Sequence, residues 1–277
     1  MPIARTRDGV GLHYTIDDHT DPWREAPWLL LQHGYGRHAG FWYRWIPYLS
    51  RWFRIIRPDM RGFGKSRDGF DPAAGFDMAT LADDVLAVLD HAGIDRVHYV
   101  GEAFGGTLGM LLAARDKARI RTLSLLSSPV FLHQEVQKNY ALGDESWTEA
   151  LRRRGVQEWV RQTNGIARFP PEIGQGFLDW YSTELARSVE VETLIRFSEL
   201  CGSYDQRHLL PAIDAPVLAV FPATRDEQVA LLREHVRDLN VVRLATRFFM
   251  IYQIAPRACA EAVLHFCAQR DGFSPTE

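Results

Sequence analysis

Short apolar runs that alternate with longer amphipathic segments restrict the fold of this chain more than any other feature of its sequence. Trp28–Gln32 and Pro216–Val220 are short, almost wholly apolar runs, and such runs are typical of strands buried on both faces of a parallel sheet. Between the strand patterns, Leu81, Val85 and Leu89 recur at the spacing of one helix face. The alternation predicts right-handed βαβ units, and therefore an α/β fold with a mostly parallel sheet flanked by helices.

The alternation is interrupted once along the chain. Residues 131–210 show no strand pattern, and stretches such as Gly176–Leu200 have helical spacing instead. We therefore predict a helical cap at 131–210, inserted into a core that is formed by residues 1–130 and 211–277. A chain of 277 residues is long enough for one large α/β domain with such an insertion.

Charge and hydrophobicity exclude several classes of protein. The formal net charge is −3, which leaves no basic surplus for binding nucleic acid. Apolar runs such as Phe248–Tyr252 are far too short to cross a membrane, and Met1–Arg5 lacks the apolar core of a signal peptide. We expect a cytoplasmic protein whose partner is a small molecule, with neither nucleic acid nor membrane as a partner. The sequence leaves open whether the protein forms a homo-oligomer.

Cysteine and histidine usage predicts neither a disulfide nor a metal site. The three cysteines form no CxxC pair, and no cluster of histidine and cysteine has the spacing of zinc ligands. A sparse, odd set of this kind indicates reduced thiols in a cytosol-like compartment. We therefore predict no cofactor. The cysteines are Cys201, Cys259 and Cys267.

Three motifs follow predicted strands, each at the point where a strand ends. His33–Gly36 reads HGYG, Asp59–Ser66 reads DMRGFGKS, and Gly101–Gly106 reads GEAFGG between a strand and a helix. Each motif alone is a weak signal, because short glycine patterns occur often by chance. Their order along the chain makes the set far more specific than its parts.

The set of motifs resembles that of the α/β-hydrolase fold superfamily. Its members have an oxyanion loop, a DxRGxGxS loop and a GxSxGG nucleophile elbow in these places. The resemblance covers essentially the whole chain and implies an α/β-hydrolase fold with an inserted helical cap. A fold of this kind does not by itself establish an activity.

The elbow Gly101–Gly105 has the composition that its geometry requires. A tight turn from strand to helix needs small residues on both sides of its central position, and this motif begins and ends with glycine. The turn holds the central side chain, here Ala103, at a helix N-terminus, where negative charge is favoured. The backbone N–H of Phe104 is one predicted oxyanion donor, and the resemblance implies that the N–H of Tyr35 is the second.

The members of a serine-hydrolase triad are absent from the positions where the resemblance places them. Ala103 stands at the position of the nucleophile, and its methyl group can neither attack nor donate a proton. The spacing to Pro256 puts Phe249 at the position of the histidine. Arg225 falls at the position of the acid, with Asp226 beside it. Asp226 is a candidate acid or, as we favour, the N-cap of the following helix.

Several histidine and aromatic residues are candidates for contacts with a ligand. Some of the aromatic side chains should line an apolar cavity below the cap, although most of them pack the cap onto the sheet. Arg61, Arg225 and Arg247 could bind a carboxylate there, while Glu102 is expected to point away from the cavity. The candidates for substrate binding are His33, His38, Trp42, Trp159 and Trp180.

Three functions agree with these residues. The first is an ester, lactone or amide hydrolase in which serine at position 103 was exchanged for alanine. The second is a naturally diverged pseudohydrolase that binds a small apolar or aromatic ligand. The third is a lyase or isomerase that uses the oxyanion loop, with Glu102, His38 and Asp226 as its candidate acids or bases. Three independent departures from the superfamily's pattern favour the pseudohydrolase.

Overall fold

The sheet has eight strands, and its centre is parallel. The computed structural model of the protein describes residues 2–165 and 168–275. In the sheet the strands are ordered as follows: β1-β2-β4-β3-β5-β6-β7-β8. The second strand is antiparallel to both of its neighbours, and all other pairs are parallel. The predicted α/β class with a mostly parallel sheet is confirmed. The strands are β1 (Ile3–Arg5), β2 (Gly11–Asp17), β3 (Trp28–Gln32), β4 (Arg54–Pro58), β5 (Val97–Glu102), β6 (Ile120–Leu126), β7 (Val217–Pro222) and β8 (Leu239–Leu244).

Long helices form where the sequence has helical spacing, since Leu81, Val85 and Leu89 lie in one of them and Gly176–Leu200 lies almost wholly within two others. Asp77 precedes one of them and accepts a hydrogen bond from the Thr80 N–H in a capping box, which is a common way to begin a helix. No helix of the described residues is both long enough and apolar enough to span a bilayer. The helices are α1 (Ile46–Leu49), α2 (Met78–His91), α3 (Phe104–Arg115), α4 (Gln134–Ala141), α5 (Trp147–Asn164), α6 (Gln175–Ser188), α7 (Val191–Ser203), α8 (Asp226–His235), α9 (Ile251–Ile254) and α10 (Pro256–Asp271).

The described chain between β6 and β7 consists of helices joined by loops and turns. It contains α4 to α7, and in 131–165 and 168–210 it contributes no strand to the sheet. Phe131 and Val189 make only isolated bridges, to Asp205 and Phe63. This helical content agrees with a cap at 131–210, although the division of the chain into core and cap stays a prediction.

The carboxyl ends of neighbouring parallel strands bring two of the motifs together. Gln32 at the end of β3 pairs with Gly101 in β5, and Glu102 at the end of β5 pairs with Leu126 at the end of β6. The loops after these strands therefore leave the sheet at one edge. Open α/β sheets bind their ligands at this edge, so the site is to be sought there.

Asp59 holds its own motif, Asp59–Ser66, against the loop that contains the motif His33–Gly36. Its carboxylate accepts hydrogen bonds from the N–H groups of Ala39, at 2.7 Å, and Lys65, at 3.0 Å, and lies 3.2 Å from Nδ1 of His13. Burial would by itself raise the pKa of this carboxyl, but His13 and the two N–H groups outweigh it and hold the pKa below its ordinary value of 3.8. Asp59 is therefore ionised where it joins the loops after β3 and β4.

We expect Asp59→Asn to lower the free energy of unfolding at neutral pH by about 1–3 kcal/mol, because the amide cannot accept every N–H that the carboxylate accepts. The folded-state pKa is depressed, so this stabilisation is present above the unfolded pKa and is lost as pH falls through the folded value. The gap in unfolding free energy between the unaltered protein and Asp59→Asn should therefore shrink when the pH is below the ordinary pKa of 3.8. Urea unfolding over a pH series measures the gap. Asp68→Asn at an exposed side chain is the control, and a gap that widens in acid would contradict the assignment.

Candidate functional site

Ala103 lies in a strained turn between β5 and α3. Its φ and ψ are 46° and −116°, and a positive φ is uncommon for any residue with a Cβ atom. The Ala103 N–H donates to the carbonyl of Leu126, at 3.0 Å, which ties the turn to β6. Such conformations cost roughly 1–3 kcal/mol and cluster at active sites. The turn has the strained geometry of a functional position although its side chain is a methyl group.

Close backbone packing explains the glycines on both sides of Ala103. A Cβ atom on Gly105 would lie 2.5 Å from the carbonyl oxygens of Gln32 and His33, and one on Gly101 would lie 2.4 Å from the backbone of α3. Both distances are shorter than any real Cβ contact. The glycines therefore allow the elbow to pack directly against the loop after β3.

The elbow faces a cavity of about 80 Å³. The cavity lies at the carboxyl edge of the sheet, and α4, α5 and α7 contribute to its wall. Ala103 and Phe249, which the sequence predicted at the nucleophile and histidine positions, both line it. The other aromatic lining residues are Tyr35, Phe104, Tyr140, Trp147, Tyr204 and Phe221. The polar lining residues are Arg37, Ser127, Arg168, Cys201, Arg225 and Gln228.

Both residues that we predicted as oxyanion donors line this cavity. In 2–165 and 168–275, neither the N–H of Tyr35 nor that of Phe104 donates a hydrogen bond to the protein. Phe104 is the first residue of α3, where backbone N–H groups have no partner within the helix. Two such groups can stabilise negative charge on a ligand oxygen.

The wall of the cavity offers no base or acid of a triad. None of the lining residues is a histidine, aspartate or glutamate. Phe249 lies under the guanidinium of Arg225, at 5.7 Å, and fills space with an apolar ring. Asp226 is exposed outside the cavity, and its carboxylate accepts a hydrogen bond from Arg243 at 2.6 Å. It is the first residue of α8 and makes no cap hydrogen bond, so its interpretation as the N-cap is wrong, while its role as an acid stays a prediction.

The two histidines predicted to bind substrate have other partners. Nε2 of His33 accepts the N–H of Met60, at 2.9 Å, and Nδ1 lies 3.0 Å from the carbonyl of Gly34. Burial lowers the pKa of His33 to about 4, so the ring is neutral and holds two loops together. His38 binds Glu184 through Nε2, at 3.1 Å, and accepts the N–H of Gly40. Neither histidine lines the cavity, and contact of either with a ligand stays a prediction.

The three tryptophans predicted to contact a ligand lie away from the cavity. Trp42 is fully buried and packs on Trp45. Trp159 is one layer behind the wall, where its ring stacks on Trp147 and its Nε1 donates to the carbonyl of Tyr140. Trp180 is partly exposed at the surface. None of the three lines the cavity, because aromatic composition does not tell which rings face a cavity and which pack behind it, and their contact with a ligand stays a prediction.

A buried ion pair supports the elbow from behind. Glu102 Oε2 accepts hydrogen bonds from Nη2 and Nε of Arg37, at 2.6 and 3.0 Å, and from the N–H of Gly34, at 3.2 Å. Both charged side chains are almost fully excluded from solvent. Arg37 lines the cavity, whereas Glu102 does not. The pair therefore fixes the oxyanion loop to the end of β5.

Two of the three arginines proposed as carboxylate ligands lie outside the cavity. Arg61 is buried and pairs with Asp84, at 2.6 Å, and with Asp8, while Arg247 is exposed against the ring of Phe248. Only Arg225 of the three lines the cavity. The sequence analysis missed Arg168, which also lines it, and no motif or spacing marks this residue.

Ser127 and Cys201 are further lining residues that the sequence analysis missed. Ser127 follows β6 with a φ of 49°, and its buried Oγ has no hydrogen-bond partner in the described chain. Burial raises the pKa of the Cys201 thiol well above its ordinary value, so Cys201 stays protonated and is a poor nucleophile. Within the described residues, histidine, cysteine and acidic side chains nowhere gather in the threes that a metal site requires.

Comparison with known proteins agrees with this geometry. A family model described as the alpha/beta hydrolase fold matches residues 27–163. The chain has the α/β-hydrolase fold. The matched part of the chain includes the strand before each of the three motifs, and it ends within α5.

Relatives over the whole length carry hydrolase names. A protein of Azorhizobium caulinodans named "Putative carbamate hydrolase RutD" is 27% identical over 98% of this chain and 100% of its own. A hydrolase structure from Pseudomonas aeruginosa PA01 matches with a TM-score of 0.82 and 25% identity, over 96% of this chain and 97% of that one. The enol-lactonase structure from Burkholderia xenovorans also has a TM-score of 0.82, with 23% identity over 96% and 100%.

We expect Gly105→Ala to lower the free energy of unfolding by about 1–3 kcal/mol, because its methyl group has no space between α3 and the loop after β3. Gly176→Ala is the matched control. Gly176 lies in α6 with no atom near the added methyl group, so this change should be neutral or stabilise by up to about 1 kcal/mol. Urea unfolding measures both variants, and equal stability changes would sink the packing argument.

We expect Glu102→Gln to lower the free energy of unfolding by about 3–5 kcal/mol, because it leaves the buried charge of Arg37 without its counter-charge. The double variant with Arg37→Met should lose less than the sum of the two single changes. Denaturant unfolding of the unaltered protein, the two single variants and the double variant gives the coupling free energy between Glu102 and Arg37. The exposed pair Lys117–Asp214 serves as the control cycle and should show little coupling. Additive losses of stability at Glu102 and Arg37 would contradict the claim that their ion pair fixes the oxyanion loop to β5.

Proposed function

We propose that this protein binds a small organic molecule in the cavity above Ala103 and does not hydrolyse it as a serine hydrolase. One observation carries the proposal: Ala103 and Phe249 line the same cavity, and no lining residue is a histidine, aspartate or glutamate. Serine hydrolysis needs a nucleophile and a base that takes its proton. The cavity provides neither, so a ligand that enters it is held without being cleaved.

Features that the cavity retains support binding of a carbonyl or carboxyl compound. The N–H groups of Tyr35 and Phe104 have no partner within the described protein, and aromatic side chains form much of the wall. Relatives named as a carbamate hydrolase and an enol-lactonase act on carbonyl groups, as their names say. We propose that the ligand belongs to this broad class. A cytoplasmic location and a small-molecule partner remain predictions, and the question of a homo-oligomer stays open.

A second candidate function is hydrolysis by a parent enzyme with serine at position 103. The strained φ of 46° at Ala103 favours it, because a serine there would have the conformation of an exposed nucleophile. Phe249 argues against it, since the base would still be absent. A lyase or isomerase has weaker support, because its candidate acids and bases Glu102, His38 and Asp226 all lie outside the cavity wall.

We expect Ala103→Ser to leave hydrolysis of p-nitrophenyl acetate near the background of the unaltered protein, because no lining group can accept the serine proton. Ala103→Ser combined with Phe249→His should be faster, since a positioned base contributes about 10²–10⁴-fold when it is correctly oriented. The gain should be at the low end, because no carboxylate faces position 249 to orient the new histidine.

The control for this series is Ala103→Ser combined with Phe249→Leu, which opens the same space without adding a base. Circular dichroism and urea unfolding verify that each variant folds. Turnover of roughly 1–10³ s⁻¹, the range of ordinary enzymes, from Ala103→Ser alone would overturn the proposal in favour of the second candidate.

A further inference from the structure

Arg168 is a buried cation without a carboxylate partner. Only 5% of its surface is exposed, and it lines the cavity beside Ala103. Its guanidinium lies 5.1 Å from the ring centres of both Tyr140 and Trp159. Its backbone carbonyl accepts the N–H of Met250, at 3.4 Å, but its guanidinium makes no hydrogen bond or ion pair with the described residues. A buried charge in this state is costly unless something else pairs with it.

The other buried arginines of the described chain show how unusual this is. Each of them is paired with a carboxylate at 2.7 Å or less. Arg168 is equally excluded from solvent but turns toward the cavity. The pairs are Arg37 with Glu102, Arg57 with Asp17, and Arg61 with Asp84.

A second cation and a free hydroxyl face the same cavity. Arg225 is partly exposed, lies over Phe249 and makes no ion pair with the described residues. The adjacent Asp226 is turned away to Arg243. Ser127 adds a buried Oγ without a partner. These groups come from three separate parts of the chain and meet at one space.

The charges of the cavity do not balance. Its wall has three guanidinium groups and no carboxylate. Glu102, behind the wall, compensates Arg37 by accepting two of its N–H groups on Oε2. Arg168 interacts with Glu102 only through longer-range electrostatics, so neither Arg168 nor Arg225 has a carboxylate in contact among the described residues. An anion that enters would gain charge-assisted hydrogen bonds in a place that excludes most water.

We infer that the cavity binds a small organic carboxylate, with its carboxyl group on Arg168 and Arg225 and its apolar part against the aromatic wall. The inference rests on the proposed function, since it names the ligand class of the same cavity. The planar guanidinium fits a carboxylate in a two-point contact. Phe104, Trp147 and Phe249 offer an apolar surface, which suits an organic acid better than a fully hydrated inorganic anion.

The test compares acids with their neutral amides of the same shape. Acetate, butyrate and benzoate, and then acetamide, butyramide and benzamide, are titrated into the full-length protein by isothermal calorimetry. We expect at least one acid to bind at least about tenfold more tightly than its amide, because charged hydrogen bonds distinguish them. This comparison needs no variant, so it stands even where a substitution prevents folding.

Variants then locate the preference. Arg168→Met should weaken binding of the acid about 10- to 100-fold and leave the amide almost unchanged, while Arg168→Lys should lose less because it keeps the charge. Arg247→Met is the matched control, since Arg247 is exposed outside the cavity, and should bind like the unaltered protein. Binding curves from the same protein preparations provide all these ratios.

The outcomes separate the two proposals. Amides that bind as tightly as acids, no binding by any acid of the series, or an unchanged preference in a folded Arg168→Met would overturn the carboxylate inference and leave the non-hydrolytic proposal standing. Acid-selective binding together with efficient cleavage of p-nitrophenyl acetate by the unaltered protein would overturn the non-hydrolytic proposal and leave the carboxylate inference standing. Selective binding that depends on Arg168, without cleavage, supports both.

Discussion

The direct contact between the β5–α3 turn and the loop after β3 is the constraint on which the rest of the site depends. Gly105 packs against the carbonyl groups of that loop with no space for a side chain, and the ion pair between Glu102 and Arg37 holds the loop from behind. Tyr35 and Phe104 consequently line one cavity. A site positioned by backbone packing keeps its shape independently of the group that performs chemistry in it.

Local patterns explain why the sheet and the elbow could be predicted from the sequence. Apolar runs bounded by polar or glycine residues coincide with β3, β5 and β7, and the glycines of the elbow are dictated by short-range geometry. The four-residue helix Ile251–Ile254 was missed because it makes little more than one turn, which is too short to show a repeating amphipathic pattern. Asp226 was misread because a residue at the start of a helix can turn its carboxylate to a neighbouring strand, here to Arg243, instead of to its own backbone.

The composition of the cavity wall could be predicted only in part, because it depends on contacts between distant segments. Ala103 and Phe249 were found through motif position, which fixes them relative to strands. Arg61 and Arg168 are the same residue type, and their local sequences do not reveal that the guanidinium of one pairs with Asp84 while that of the other lies over aromatic rings. Charge balance is a property of the folded chain, so a sequence without a structure could not single out Arg168.

The strained backbone at Ala103 has a consequence for how such proteins change over evolutionary time. The turn is held by its neighbours, so its geometry does not require a hydroxyl group at position 103. An exchange between serine and alanine there alters one oxygen atom and leaves the packing intact. Turnover can therefore be lost in a single step while the chain continues to fold, and a catalyst can become a receptor through intermediates that are all stable.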